Sequence, residues 1–457
     1  MKGLEISEVQ SSELNAEMRF DSEYFSKAYI EANKRLAAFG TAPVGDCVTD
    51  GIHTSIDYDA SSPVRLISAM SPQENAFDLS RNARISVAMH KANPRTALRK
   101  GDVIVSTVGT IGNCAVVDDS VLPANCDRDV GIIRRSGYSP YALATFLLTR
   151  YGRAQTVRES TGNVQLHLFI YKMRGLKLPN LSPEFQARIE SLVKSAHGKI
   201  YEADKVFHSA EQMLLAELGF AGWSPTDDAV SVKSYSDFVS AGRFDAEYFQ
   251  PKYDAIDKII RAYRRGVVAA SEALVTGLAN EDAETDERYV ELADIGANGE
   301  ITGCMSATFG ELPSRARQRI EAGQVIVSSI EGSLDKCALV TTEYDKALCS
   351  TGFHRFCSTK INAETLLLLF KSWPIQQLMK RGCSGTILCG ILSGELANVP
   401  LPLVNSKVQR DLATKVQSSF ALRAESKRLL DLAKHAVELA IEQGEDNAIN
   451  VVSSVAG

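Results

Sequence analysis

Long apolar runs are missing from this 457-residue sequence. None approaches the roughly 18 consecutive apolar residues that crossing a bilayer requires. The opening MKGLEISEVQ carries charge where a secretory leader has its apolar core. A soluble, cytoplasmic protein with no membrane partner is therefore expected. A positive surplus is missing too: 50 Lys and Arg stand against 56 Asp and Glu, a formal net charge of −6. Autonomous nucleic-acid binders usually carry a basic excess, so any contact with DNA has to be local or shared with a partner. Paired cysteines are also lacking. Cys47, Cys114, Cys126, Cys304, Cys337, Cys349, Cys357, Cys383 and Cys389 are nine, an odd number, with no C-x-x-C or other zinc-like spacing. They read as reduced, partly buried thiols.

Catalytic constellations are absent in the same sense. There is no G-x-x-x-x-G-K-[ST] phosphate loop and no G-x-S-x-G elbow. Asn93-Pro94-Arg95 is the nearest approach to the Asn-Pro-Pro-aromatic run of amino-methyltransferases, and it lacks both the second proline and the aromatic. The seven histidines are scattered, whereas a catalytic zinc needs three converging ligands. No catalytic residue, metal or cofactor is assigned to this chain.

What the sequence does contain is a copy of itself. RFDSEYF (Arg19 to Phe25) recurs as RFDAEYF (Arg243 to Phe249). KGDVIVSTVGTIGNCAVV (Lys100 to Val117) is echoed by AGQVIVSSIEGSLDKCALV (Ala322 to Val340), with VIVS identical and Cys114-Ala115 answered by Cys337-Ala338. GLKLPNL (Gly175 to Leu181) answers NVPLPLV (Asn398 to Val404), and Gln186 answers Gln409. The common offset, about 223 positions, is a whole globular unit, far longer than a solenoid repeat.

Each copy has the same order. A short amphipathic helix follows the RFD phrase (Ser22 to Phe39, Ala246 to Tyr263), and a mixed region with β-rich runs follows that. Then both copies change character. Ser182 to Phe220 and Asn405 to Gln443 hold almost no Gly or Pro, and apolar residues recur at three- and four-residue steps. The first stripe runs through Phe185, Ile189, Leu192, Ala196, Ile200, Ala203, Val206, Ala210 and Met213. The second runs through Val408, Leu412, Val416, Phe420, Leu429, Ala433, Val437 and Ile441. That period marks long helices meeting along a seam, and about 38 residues at 1.5 Å rise give a rod of ~57 Å. Such a stripe alone is ordinary bundle core; two equal rods, each after an equal unit, suggest a spacer.

The order of unit, rod, unit, rod, with short repeated phrases between divergent stretches, resembles the DNA-specificity subunit of type I restriction-modification systems over essentially the whole chain. The resemblance implies an α+β fold with two similar target-recognition domains and two long antiparallel coiled-coil helices related by an internal pseudo-two-fold. The boundaries expected are residues 1–181 and 223–403 for the domains, 182–222 and 404–443 for the helices, and 444–457 for a C-terminal tail. It further implies a bipartite double-stranded DNA target, two methyltransferase subunits docked on the helices and two restriction subunits beyond them. S-adenosylmethionine, ATP and Mg would sit on those partners. One departure stands out. The second copy has Glu331-Gly332-Ser333 where the first has Gly109-Thr110-Ile111-Gly112. A carboxylate there would repel phosphate unless it accepts from a cytosine amino group, so the two units should read different bases.

Basic residues cluster locally. Arg81, Arg84, Lys91, Arg95, Arg99 and Lys100 fall in an acid-free run; Arg150, Arg153, Arg158, Lys172, Arg174 and Lys177 face only Glu159. In the second copy Arg315, Arg317 and Arg319 alternate, and Lys380-Arg381 precede a Cys-Ser-Gly-Thr loop. Most charge runs are solvated faces, but with the resemblance these patches become candidates to neutralise phosphate. Polar loop residues would then read base edges: Thr110, Asn113, Asn163, Gln165 and His167 in the first copy, Lys336, His354, Arg355 and Thr386 in the second. Two rivals remain at this stage, a fused methyltransferase or nuclease, which would need a cofactor site, and a coiled-coil interaction scaffold without nucleic acid.

Overall fold

The computed structural model describes residues 8–11, 19, 21, 22, 24–80, 82–135, 137–162, 164–225, 230–279, 281–385 and 389–456. They fold as two compact units. Unit 1 extends to Lys199 and takes up the chain again from Glu425; unit 2 is Ile200–Ala424. The division cuts both long helices, Pro183–Glu217 and Ser406–Gln443, in their middles. The physical reason is packing: Phe185, Ile189 and Val193 join the same core as Leu36, Phe146 and Leu178, while Phe207, Leu214 and Leu412 join the core of unit 2.

Unit 1 is built on a four-stranded antiparallel sheet in the order Val48–Asp50, Val130–Ile133, Val103–Ser106, Cys114–Val116. Unit 2 repeats it as Leu274–Val275, Phe353–Phe356, Val325–Ser328, Cys337–Leu339. The two VIVS strands are buried at every position, as fits a strand covered on both faces. A second feature keeps the offset too. Arg65–Ile67 pairs in parallel with Ala124–Cys126, setting Ile67 beside Cys126, and 223 residues later Val290 stands beside Cys349. Unit 2 then adds the outer strands Met305–Thr308 and Ala316–Arg319, where unit 1 has the short helix Val87–Ala92 and single bridges. The units thus differ where the sequences diverge.

Each unit is entered and left at one place. Thr41–Pro43 pairs with Lys177–Pro179, and Val267–Ala269 pairs with Pro400–Pro402. The helices expected after the RFD phrases are present, trimmed to Lys27–Phe39 and Pro251–Arg261. Two further helices, Pro140–Leu148 and Ala363–Lys371, are so apolar that no periodicity announces them; Ser139 and Asn362 cap them by accepting from the Ala142 and Thr365 amides. The C-terminal segment is helical over Glu445–Ala456, set off by Gly444 at φ +89° and tied back through Glu445, which accepts from Ser182 N at 2.7 Å.

Within unit 1 the long helices run antiparallel, with Ser182 beside Glu445 and Ala196 beside Ser426. Within unit 2 they do the same, with Ala203 beside Ser419 and Ser209 beside Lys415. The seam is a heptad pattern, the repeat of a coiled coil. Ile189, Ala196, Ala203 and Ala210 answer Leu412, Ser419, Ser426, Ala433 and Ala440, all buried. The apolar stripe expected at Val206 and Met213 lies one residue on, at Phe207 and Leu214, which are the buried positions. Small side chains let the backbones approach, and Ser426 Oγ donates to Ala196 O at 2.8 Å, Ser419 Oγ to Ala203 O at 2.9 Å. Both buried hydroxyls are thereby satisfied.

The thiols are free, with Cys114, Cys126, Cys337, Cys349 and Cys383 buried. Burial pushes Cys114 and its counterpart Cys337 up to about 12, so neither is a thiolate near neutrality. Among the described residues no helix is long and apolar enough to cross a membrane.

Candidate nucleic-acid interface

The repeated phrases are far apart in sequence and meet in space. In unit 1 the turn after the VIVS strand holds Gly109 and Gly112 at φ +71° and +80°. At Gly112 a Cβ would meet Thr156 Oγ1 at 2.6 Å, so glycine is required for both reasons. Against this turn lies the segment around Ser160-Thr161-Gly162, which folds back as Thr161 and His167 exchange backbone hydrogen bonds of 3.0 and 2.8 Å. Leu168 N then donates to Thr107 O at 2.9 Å, and Thr107 N donates to Asp129 O at 3.1 Å. Unit 2 keeps this arrangement: Ile391 N donates to Ser329 O at 2.8 Å and Ser329 N to Gly352 O at 2.9 Å.

The RFD phrases brace the same place. Arg19 pairs with Asp21 at 2.8 Å and donates to Arg158 O and Ser160 O at 3.0 and 3.4 Å. Arg243 pairs with Asp245 at 2.7 Å and donates to Arg381 O and Cys383 O at 3.3 and 2.9 Å. Tyr24 lies between the Arg19 and Arg158 guanidiniums, 4.4 and 4.0 Å from its ring centre; Tyr248 lies between Arg243 and Arg381 at 4.8 and 4.5 Å. Both pairs are within cation–π range. The hydrogen bond from Arg19 holds Asp21 below the usual carboxylate range against the cost of burial, and Arg243 does the same for Asp245.

The sequence-selected residues divide by this geometry. Thr110 is exposed at the turn, its hydroxyl 3.4 Å from Ala69 O; Gln165 is exposed, and His167 is half-buried with its ring edge-on to Phe169 at 4.7 Å. Asn113 is a brace, accepting from Arg153 Nη2 at 2.7 Å. Lys91 and Arg99 are exposed, Arg84 donates to Ser62 O at 2.9 Å, and Arg95 pairs with Asp50 at 2.9 Å. Arg81, Asn163 and Thr386 lie outside the described residues.

In unit 2 Arg315 is exposed beside Glu291 at 3.3 Å, and Arg317 covers the Phe309 ring at 4.8 Å. Arg319 is held by Glu281 and Glu287 at 2.7 and 2.6 Å. Lys336 donates to Ile295 O at 2.6 Å. Lys380 stands 3.8 Å from both Glu247 and Glu331, so the Glu331 carboxylate faces a lysine; Arg381 pairs with Asp254 at 3.2 Å. Burial lowers the His354 pKa, against the backbone bond at Ile391. Arg355 is 5% exposed and donates to Gln318 Oε1, Arg319 O and Gly277 O at 3.0, 2.5 and 2.6 Å. Its fork is a strut of the unit and offers no donors at the surface. In the run from Arg150 to Lys177, Arg153 pairs with Glu74 and the buried Lys172 with Glu159, while Arg150 and Arg174 pair with Glu442 and Asp46 and keep about half of their side chains exposed.

Sequence reasoning passed over Arg128. Its neighbours Asp127 and Asp129 cancel it in any count of local charge, yet its side chain is 71% exposed and its Nε stands 3.9 Å from the Asp129 carboxylate. It lines a cleft of about 490 Å³ with His53, Val108, Gln165 and His167. His53 in turn contacts Asp50 at 2.6 Å. Burial would raise the Asp50 pKa, but the bond from His53 and the nearby Arg95 charge hold it down. Among the described residues no group of three or more His, Cys, Asp or Glu side chains is placed to hold a metal ion. The arrangement can present planar donors and amides to an edge or a phosphate.

No family model matches the chain. No curated protein matches it either. Among solved structures it is similar to the type-I restriction-modification system S subunit from M. genitalium, at 11% identity over 90% of this chain and 95% of that one, with a TM-score of 0.40. It is also similar to the HsdS subunit from Thermoanaerobacter tengcongensis, at 14% identity over 88% and 96% of the two chains, with a TM-score of 0.28. A third similar chain belongs to a structure describing complex assembly and conformational transition of the type I R-M system, at 15% identity over 88% and 97%, with a TM-score of 0.27.

Proposed function

We propose that this chain is the DNA-specificity subunit of a type I restriction-modification system. Each unit reads one half of a bipartite double-stranded target, and the long helices set the spacing and dock the methyltransferase subunits. The observation that carries the reading is the duplication at the level of single bonds. The loop, turn and strap contacts of unit 1 recur in unit 2 with the same partners about 223 positions on, and each unit holds its own antiparallel stretch of the two rods. Such a design presents two similar surfaces that differ in their outer segments, which suits two half-sites of different sequence.

The chain itself transfers no methyl group and cuts no strand. S-adenosylmethionine, ATP and Mg belong to two methyltransferase and two restriction subunits, and the assembly works in the cytoplasm. With a net charge of −6, affinity for DNA rests on local cations and on the partners. Half-sites about one turn, ~34 Å, apart present their major grooves to the same side.

The test is reconstitution of the full chain with a type I methyltransferase subunit, S-adenosylmethionine and a randomised plasmid library, followed by sequencing of the methylated sites. A target in two blocks separated by a fixed unread spacer is expected, and the chain without its partner should transfer nothing. Methylation without sequence preference, or transfer by the isolated chain, contradicts the reading.

A further inference from the structure

The cleft lined by Arg128 has a counterpart. In unit 2 a cleft of about 440 Å³ is lined by Glu291, Arg315, Ile330, Thr351 and Gly352 among others. The two share one corner, where Val108, Arg128 and Asp129 of the first stand at the positions of Ile330, Thr351 and Gly352 of the second. Val108 bridges His167 as Ile330 bridges Gly390. Thr107 is bonded to Asp129 as Ser329 is to Gly352, and Leu168 to Thr107 as Ile391 is to Ser329. The repeated backbone bonds thus keep one corner in both units, and side chains from different positions surround it: Arg128 itself in the first, and in the second Arg315, whose carbonyl accepts from Thr351 N at 2.9 Å.

Those side chains have base-reading chemistry. The first cleft offers the Arg128 fork with the Asp129 carboxylate 3.9 Å from it, the exposed Gln165 amide, and the His53 ring, held through Nε2 by Asp50. The second offers the Arg315 guanidinium, whose side chain is 60% exposed, beside the Glu291 carboxylate at 3.3 Å. Arginine pairs bidentately with guanine O6 and N7, glutamine with adenine, and a carboxylate accepts from the cytosine amino group. Neither arginine is tied down as Arg319 and Arg355 are.

Resting on the reading of the chain as a specificity subunit, we infer that these two clefts, built around one shared corner, are its base-reading sites. Arg128 takes a guanine edge in the first half-site, and Arg315 with Glu291 reads a G·C pair in the second. The clefts differ in content because the half-sites differ in sequence.

The experiment uses the full chain assembled with its methyltransferase subunit, with Arg128→Ala, Arg128→Lys and Arg315→Ala made separately. The readout is methylation of a library randomised at every position of both half-sites. Arg128→Ala should lower discrimination at one guanine of one half-site by roughly tenfold or more, the scale of a bidentate base contact, and leave the other half unchanged. Arg128→Lys should lose that discrimination as well, because a lysine keeps the charge without the fork. Arg315→Ala should act on the other half alone. A uniform loss across all sequences with the salt dependence reduced by about one charge, restored by Arg128→Lys, would identify a phosphate contact and overturn the inference. Unchanged preferences in both half-sites would overturn it too. If the unsubstituted complex writes a two-block target and these variants do not alter it, the cleft assignment alone falls; if it writes no such target, the specificity-subunit reading falls with it.

Discussion

Gln186 Oε1 accepts a hydrogen bond from the Ser139 backbone N–H at 2.7 Å, joining the first turn of one long helix to the cap of the Pro140–Leu148 helix. Its Nε2 donates to Leu181 O at 2.8 Å. Gln409 makes the same two bonds, to Asn362 N and Val404 O, each at 2.8 Å. At 7% and 9% exposure these amides sit where water does not substitute for them. Gln186→Ala leaves the part-buried Ser139 N–H and the buried Leu181 C=O without their partner, which costs roughly 2–4 kcal/mol. For a unit of this size that lowers the Tm by about 5 °C or more. Calorimetry on the full chain should register the same loss for Gln409→Ala, and a shift under about 1 °C in either would mean that the tie is dispensable.

The Arg19 strap makes a prediction about mobility. Its fork holds Ser160 O and Arg158 O at the root of the segment that carries Gln165 and His167. Lysine keeps the charge and loses the fork. In Arg19→Lys, hydrogen exchange should speed up at the Thr161 and His167 amides while the Val103–Ser106 strand stays protected. Equal protection at Thr161 in both proteins would remove the bracing role.

Asp127 gives a pH dependence with a definite sign. Burial, with the neighbouring Asp129 charge, pushes its carboxyl up to about 6 against the bond from Asp129 N, from an ordinary value of 3.8. A folded pKa above the unfolded one means that its contribution is favourable below about pH 4 and is lost as pH rises to about 6. About two units correspond to just under 3 kcal/mol, which solvent screening reduces to roughly 1–2 kcal/mol. Asp127→Asn keeps an oxygen for the Asp129 amide and removes the charge. It should stabilise the protein by that amount at pH 7.5, and the gain should shrink toward pH 4. A gain independent of pH would point to a cause other than ionisation.

How much of this was legible in the sequence follows from what each signal depends on. The duplication was readable because identical backbone jobs retain their residues: RFD, VIVS and the glutamines recur, and each recurs in the same contacts. The rods were readable from period alone, but their seam was not. Ser419 and Ser426 interrupt an apolar stripe and look like surface, whereas in the fold they are buried donors to carbonyls of the other helix. Hydropathy also placed Val206 and Met213 where Phe207 and Leu214 belong, since a 3.6-residue period and a 7-residue repeat drift apart by about 20° per heptad.

The candidate interface was the least legible. Arg319 and Arg355 stand in basic or polar runs, and folding turns both inward onto carboxylates and carbonyls. Arg128 stands between two aspartates and reads as neutral, and folding turns it out. Local charge counts are blind to which way a side chain faces.

If one unit reads one half of the target, its exchange should move that half alone, and the paired strands Thr41–Pro43 and Lys177–Pro179 put the entry and exit of unit 1 side by side. An exchange of Cys47 to Pro179 begins just after the first of these strands and ends with the second, so both junctions fall at this one place and the long helices keep their own sequence. The decisive measurement is methylome sequencing of cells that carry the full chain with this segment replaced by the corresponding part of a homologous specificity subunit. One block of the target should change, while the other block remains intact. A change in both blocks, or in neither with the complex still active, would contradict it.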